Sequence, residues 1–255
     1  MNIELILSPD LYDRRQLRSG HAAVAVDVLR ATTAICAAFS VGADAIVPLD
    51  SLESLPLFAP LGYEIAAERN GSKLPGATCG NSPTEYLRLD LRGRRIAYST
   101  TNGTVSILRA VGSKPLYVGA FANLSRLASA LVNVGSEPVS DLVILCSGWK
   151  GDPSIEDTLF AGALIERVRT LAASVPGMET TLVNDPAMMA LDLWRFAAPD
   201  AYAFCSKATH VHRLRRLGYD DDIRFAFRVD SCPVLPQLLP NPDFPDGCFP
   251  CLKCQ

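Results

Sequence analysis

Histidine is nearly absent from this 255-residue chain, which has three: His21, His210 and His212. That leaves little for a metal site built on imidazoles. His210 and His212 are two residues apart, and on a helix such positions face different ways. His210, at the start of a helical run, remains a candidate contact for an anion. The chain has no Gly-x-x-x-x-Gly-Lys-[Ser/Thr], which excludes a P-loop, and no Gly-x-Ser-x-Gly, which excludes a nucleophile elbow. No basic run with interleaved aromatics occurs, and the net charge is −3. A general nucleic-acid binder would need a basic surface, so no nucleic acid is expected as a partner. No apolar run reaches the roughly 20 residues needed to span a bilayer, so no membrane is expected either. The opening residues, Met1 to Leu7, begin as a strand with no basic leader. No signal peptide is therefore expected, and the cytoplasm is the expected compartment.

Hydrophobic residues make up 49% and charged residues 20%, which places the chain among folded globular proteins. Its length fits one large domain or two lobes. There are eight cysteines. Cys36, Cys79, Cys146 and Cys205 lie among apolar or turn residues and are expected as reduced thiols. Cys248, Cys251 and Cys254 form a Cys-x-x-Cys-x-x-Cys series with Cys232 upstream. That spacing could hold zinc or an iron–sulfur cluster. It follows a Pro-rich segment, however, and residues 237–255 are expected to form a frayed, dispensable tail after a compact unit over 1–236.

Strands and helices alternate. Strands are expected at 2–7, 22–27, 45–49, 63–67, 95–99, 116–118 and 141–146. Pro48 should push its strand towards an edge or an end. Residues 10–19 read as a polar turn or short helix, and 135–140 as a loop. Helices are expected at 31–41, 83–87, 105–111, 123–132, 154–172, 186–197 and 199–217; 223–229 fits either state. The pattern predicts an α/β fold of three layers, α/β/α, with a mostly parallel or mixed sheet and two lobes meeting at the site.

The stretch Ala22 to Ala34 organises the rest. Five apolar residues end at Asp27, and Arg30-Ala31-Thr32-Thr33 leads into an Ala-rich helix. In open α/β sheets ligands bind at this switch. A carboxylate there can hold a metal or attack a substrate, and Arg30 can fork onto an oxyanion. Equally, Asp27 could only cap the helix, with Arg30 pairing on the surface. Thr100-Thr101-Asn102-Gly103-Thr104 also joins a strand to a helix and can cradle an anion or be an ordinary turn. Cys146-Ser147-Gly148 leads to Ser154-Ile155-Glu156-Asp157. Ser154 and Asp157 there fit a capping box, whereas two adjacent carboxylates also suit a hard cation. Glu68-Arg69-Asn70-Gly71 repeats the pairing of acid and guanidinium. Four such loops together favour a phosphate-type site.

These motifs, with Gly80-Asn81-Ser82-Pro83 and the later run from His210 to Leu217-Gly218 and Asp222-Ile223, resemble the magnesium-dependent 2-phosphosulfolactate phosphatases in order and spacing. The resemblance spans roughly residues 3–236. Val211 stands where the family usually has Gly, and Ala77-Thr78-Cys79 where an aromatic and an acid are usual. The resemblance implies hydrolysis of (R)-2-phospho-3-sulfolactate to 3-sulfolactate and phosphate, for coenzyme M synthesis or other uses of sulfolactate. It implies Mg2+ held by Asp27 with Glu68, Glu156 or Asp157, and Asp27, Arg30 and Glu156 in catalysis. Substrate contacts are expected from Arg69, Asn81, Ser82, Thr101, Asn102, Gly103, Thr104, Ser147, Gly148 and His210. Homo-oligomerisation is left open. The competing readings are a phosphatase for another small anionic phosphoester and a non-enzymatic phosphate- or sulfonate-binding protein. Aspartyl-nucleophile phosphatases need Asp-x-Asp, and Asp27 is followed by Val28-Leu29.

Overall fold

A computed structural model describes residues 1–12, 17, 20–133 and 139–255. In chain order the elements are β1 (Asn2–Ile6), α1 (Pro9–Tyr12), β2 (Ala22–Val26), α2 (Ala31–Ser40), β3 (Ala45–Leu49), β4 (Glu64–Arg69), β5 (Ser72–Lys73), α3 (Pro83–Tyr86), β6 (Arg95–Ser99), α4 (Gly103–Arg109), β7 (Leu116–Gly119), α5 (Leu124–Val132), β8 (Asp141–Cys146), α6 (Ile155–Ala172), β9 (Thr181–Leu182), α7 (Asp185–Ala197), α8 (Ala201–Cys205), α9 (Thr209–Arg216), α10 (Asp220–Ala226), β10 (Pro236–Leu239) and β11 (Cys251–Cys254). Most of the 10–19 segment and of the 135–140 loop read from the sequence lies outside the described residues. Among the described residues, no helix is long and apolar enough to cross a membrane.

The strands form one mixed sheet in the order β5-β4-β6-β3-β11-β10-β7-β2-β8-β1-β9. On one side β3, β6 and β4 run parallel. On the other, β7, β2, β8, β1 and β9 run parallel. The antiparallel hairpin of β10 and β11 joins the two blocks, β10 to β7 and β11 to β3.

That hairpin corrects the reading of residues 237–255 as a frayed tail. Both strands are interior to the sheet, and Leu252 is wholly buried. Proline density misleads here because the prolines lie before β11 and at its margins, leaving Cys251–Cys254 free to pair. Nor do the tail cysteines form a cluster: β11 sends alternate residues to opposite faces, and all eight cysteines are free thiols. Pro48 lies in a central strand, not at an edge. The pairing of β11 with β3 is at Ile46, so the missing N–H of Pro48 interrupts no pair with β11.

Helix α2 explains how the two blocks come together. Its residues Ala31 to Phe39 are all buried, as expected of a helix apolar on every side. Ala23, Ala25 and Val118 from one block and Ile46, Ala66, Ile96 and Tyr98 from the other share its core. The opposite face of the β7–β9 block packs against α5, α6 and α7 through Leu127, Leu131, Phe160, Leu164 and Leu191. A smaller core under β3 and β6 holds Val47, Leu49, Phe58 and Cys251. The layers are thus helix, sheet and helix. The single helix expected over 199–217 is broken: Asp200 caps α8 through the Ala203 N–H, and α9 restarts at Thr209. This break places His210 in the first turn of α9.

Candidate active site

The carboxyl ends of β2, β4, β6 and β8 meet over the start of α2. There β2 delivers Asp27, whose main-chain carbonyl accepts from Thr32 N–H at 2.9 Å. Thr32 Oγ1 in turn accepts from Asp27 N–H at 3.0 Å, and the Thr33 hydroxyl donates to Val28 O at 2.7 Å. Both threonines are therefore spent on building the turn. The Asp27 carboxylate takes the Ala31 N–H at the helix start, where the dipole favours an anion. Even so, burial pushes its pKa up from 3.8 to about 6, with Glu156 and Glu68 adding to the rise and His210 and Ala31 N–H opposing it. Gly103 packs against it: a Cβ there would lie 2.3 Å from Ala31 Cβ and 2.7 Å from Asp27 Oδ2. Only glycine allows the β6 loop to approach so closely.

A cavity of about 140 Å3 opens at this point. Of the residues singled out from the sequence, Asp27, Arg30, Glu68, Asn81, Thr101, Asn102 and His210 line it. Asn81 is held by the Tyr98 hydroxyl, which donates to its Oδ1; burial, then the Asp27 and Glu68 charges, keep that phenol far above its ordinary pKa and neutral. Arg30 is 3% exposed and does not pair with Asp27 on the surface. It donates to Asp222 at 2.9 Å and to Gly71 O at 2.8 Å.

The other expected residues do different work. Glu156 does not face the cavity as a ligand; its Oε1 lies 2.8 Å from His210 Nδ1, and Cys205 Sγ donates to its Oε2. Asp157 spends one oxygen on Val28 N–H at 2.8 Å and the other on Gly148 N–H at 3.0 Å, stapling the β2 loop to the β8 loop. Burial, then the Asp27 and Glu156 charges, raise its pKa well above the usual range. The capping box is not formed, because Ser154 makes no cap hydrogen bond. Arg69 donates to Glu68 O and Ser99 Oγ. Ser82 caps α3 and donates to Asp222. Thr104 exchanges hydrogen bonds with Thr100, so its N–H is not available to an anion. Ser147 pairs with Ser106 at 2.7 Å. Gly148 has φ 61° and lies against Asp152 O, a conformation and a space that exclude a side chain.

Several cavity residues escaped the sequence reading: Asn70, Trp149, Lys150, Arg213 and Leu214. Trp149 stacks on His210 at 5.4 Å and 10°, and Lys150 lies 4.9 Å from the Trp149 ring. His210, Arg213 and Leu214 are i, i+3 and i+4 on α9 and share one face. That period was available from the sequence.

Of the three carboxylates expected as alternatives beside Asp27, only Glu68 lines the cavity. Among the described residues no three His, Cys, Asp or Glu side chains are grouped to hold a metal. Asp157 and Glu156 have their oxygens engaged elsewhere. Asp27 and Glu68 both line the cavity, and Mg2+ is commonly held by one or two carboxylates with water and substrate phosphate. A two-carboxylate site fits this donor set.

The staple role of Asp157 is testable. Asp157→Ala leaves two buried N–H groups without acceptors, a loss of about 2 kcal/mol. In EDTA the melting temperature should fall by roughly 4–8 °C. A melt unchanged in EDTA, with only metal response lost, would return Asp157 to the ligands.

The family model described as 2-phosphosulpholactate phosphatase matches residues 6–240. A probable 2-phosphosulfolactate phosphatase of Symbiobacterium thermophilum is 34% identical over 222 residues, 86% of this chain and 91% of that protein. One from Parasynechococcus marenigrum is 39% identical over 223 residues, covering 86% and 89%. A third, from Caldanaerobacter subterraneus subsp. tengcongensis, is 31% identical over 219 residues, covering 84% and 86%. With a family match over most of its length and relatives at this identity, the chain belongs to the 2-phosphosulfolactate phosphatase family.

Proposed function

We propose that this chain hydrolyses the phosphoester of (R)-2-phospho-3-sulfolactate with Mg2+, releasing 3-sulfolactate and phosphate. The observation that carries the reading is the charge pattern of one cavity. Asp27 and Glu68 line it together with three cationic side chains, Arg30, Lys150 and Arg213. Phosphate, carboxylate and sulfonate are three anionic groups, and a small local cluster of cations serves them without a globally basic surface. The names of the relatives point to the same substrate.

Asp27 and Glu68 would hold the magnesium ion, which when bound neutralises charge on the phosphoryl oxygens. Arg30, deepest of the cations and next to Asp27, holds the phosphoryl group together with the Thr101–Asn102 turn. Lys150 and Arg213 receive the other anionic groups. His210 keeps Nδ1 on Glu156, which leaves Nε2 for the substrate. From there it can give a proton to the departing oxygen, the Glu156 carboxylate supporting the imidazolium. Trp149, Leu29 and Leu214 reduce access of water to the phosphoryl group.

Phosphate release from 2-phosphosulfolactate and from phospholactate, each with Mg2+ or EDTA, tests the reading. The sulfonated ester should be the better substrate by at least ~10-fold in kcat/KM, since phospholactate leaves one cation unpaired. EDTA should abolish release from both. Release that ignores EDTA would remove the metal, equal rates on the two esters would point to another phosphoester, and binding without release would make the protein an anion binder.

A further inference from the structure

Arg30 is gripped from α10. Asp222, in the first turn of α10, is 1% exposed and takes four donors. Its Oδ2 accepts from Arg30 at 2.9 Å. Its Oδ1 accepts from the Ser82 hydroxyl at 2.7 Å, the Thr84 hydroxyl at 2.6 Å and Thr84 N–H at 3.3 Å. Just before α10, the Tyr219 ring lies 3.8 Å from the Arg30 guanidinium carbon. One face and one edge of the guanidinium are thereby occupied, and Gly71 O takes a further N–H.

We propose that Asp222 and Tyr219 form a clamp that positions Arg30 for the phosphoryl group. A guanidinium has five N–H donors in a rigid plane. The clamp and Gly71 use two of them and fix the plane, which leaves three N–H groups to serve a ligand in the cavity that Arg30 lines. A planar fork gains from being oriented in advance, because less freedom is lost on binding. Asp222 also ties this orientation to the start of α3, so the loop carrying Asn81 and the Arg30 turn are set by one carboxylate. Neither Asp222 nor Tyr219 lines the cavity; both act through Arg30. The inference rests on the reading of the cavity as a phosphoester site.

The test is a cycle of four proteins: wild type, Arg30→Ala, Asp222→Asn and the double variant. Asparagine keeps the size of aspartate but can serve as acceptor to Arg30 or to α3, not to both. Turnover of 2-phosphosulfolactate and calorimetric titration with inorganic phosphate are measured on each. Asp222→Asn should lower kcat/KM by at least ~10-fold and weaken phosphate binding in the wild-type background, yet change either by less than ~2-fold when Arg30 is alanine. Thr84→Val, which removes a donor to the far oxygen, should stay within ~3-fold of wild type. If Asp222→Asn does not fold, Tyr219→Leu takes its place in the cycle, with the same coupling expected. Additive losses would mean that Asp222 supports α3 only, and would overturn the clamp. Tighter phosphate binding by Asp222→Asn would overturn it too, since the carboxylate would then merely be damping the charge of Arg30. Wild-type protein that neither turns over the ester nor binds phosphate would instead overturn the phosphoester reading, and the clamp with it.

Discussion

Asp27→Asn is expected to lower kcat/KM by at least ~10²-fold while raising the melting temperature at pH 7. The two halves have one cause. Asp27 is 7% exposed, and burial, which outweighs every other influence on it, lifts its carboxyl to about 6. In the unfolded chain the same group titrates near 3.9. Well below that value both states hold the proton, and the group has no effect on stability. As pH rises from about 4 to about 6 the unfolded chain sheds its proton first, so the folded state loses ground. Above 6 the penalty is fully present, on the order of 1–3 kcal/mol. Asparagine carries no charge at any pH, and its Oδ1 can still accept from Ala31 N–H. In EDTA at pH 7 the variant should therefore melt roughly 2–10 °C higher than wild type, with the gain fading towards pH 4. Activity should fall because the carboxylate that holds the cation is gone. A variant that turns over like wild type, or that melts lower at pH 7, would remove Asp27 from the centre of the site.

Such a stabilising, inactivating substitution is the mark of a group kept in place for chemistry. It also shows what the sequence could disclose. The apolar run Ala22–Val26 reads as a buried strand that delivers Asp27 to its end, and the structure has that strand inside the sheet, between β7 and β8. Loops after β4, β6 and β8 were legible for the same reason. Which side chain in each loop reaches the cavity was not, because that depends on rotation about a helix or turn. Glu156 and Asp157 are adjacent, and adjacent helical residues point about 100° apart; one goes to His210 and the other to the backbone of two loops. Asp222 belongs to the motif set, but what it holds was not legible, because Asp220, Asp221 and Asp222 form a run that reads as a solvated helix start. Asp220 does pair at the surface with Arg215 and Arg224, but Asp222 turns inward to Arg30. No local pattern distinguishes the two. The role of β11 was out of reach for a further reason: the hairpin it forms with β10 gains its place inside the sheet only from β3 and β7, far earlier in the chain.

Ending the chain at Leu239 should therefore prevent folding. The deletion removes β11 from between β3 and β10 and leaves both with an open edge inside the sheet. It takes away Leu252, wholly buried in the core around α2, and Cys251 from the smaller core beneath β3. Phe244 and Phe249 go as well; their ring centroids lie 5.1 and 5.3 Å from that of Phe58. Asp243, which accepts from Tyr63 and Arg95, and Lys253, which pairs with Asp44 at 2.9 Å, are lost with them. The exposed ion pairs contribute little. The apolar losses decide the outcome. Removing a buried leucine or phenylalanine costs about 2–5 kcal/mol, and one full and two partial losses come to about 6–10 kcal/mol. Domains are stable by only about 5–15 kcal/mol, and open interior edges invite pairing between chains. The truncated protein should appear in the insoluble fraction or show no cooperative melt by circular dichroism. Leu252→Ala separates packing from strand loss: it keeps the ladder and should lower stability by about 2–5 kcal/mol while leaving a folded, active protein. A soluble 1–239 chain melting within a few degrees of the full-length protein would mean that β10 closes the sheet alone and that residues 240–255 are as dispensable as their composition suggests.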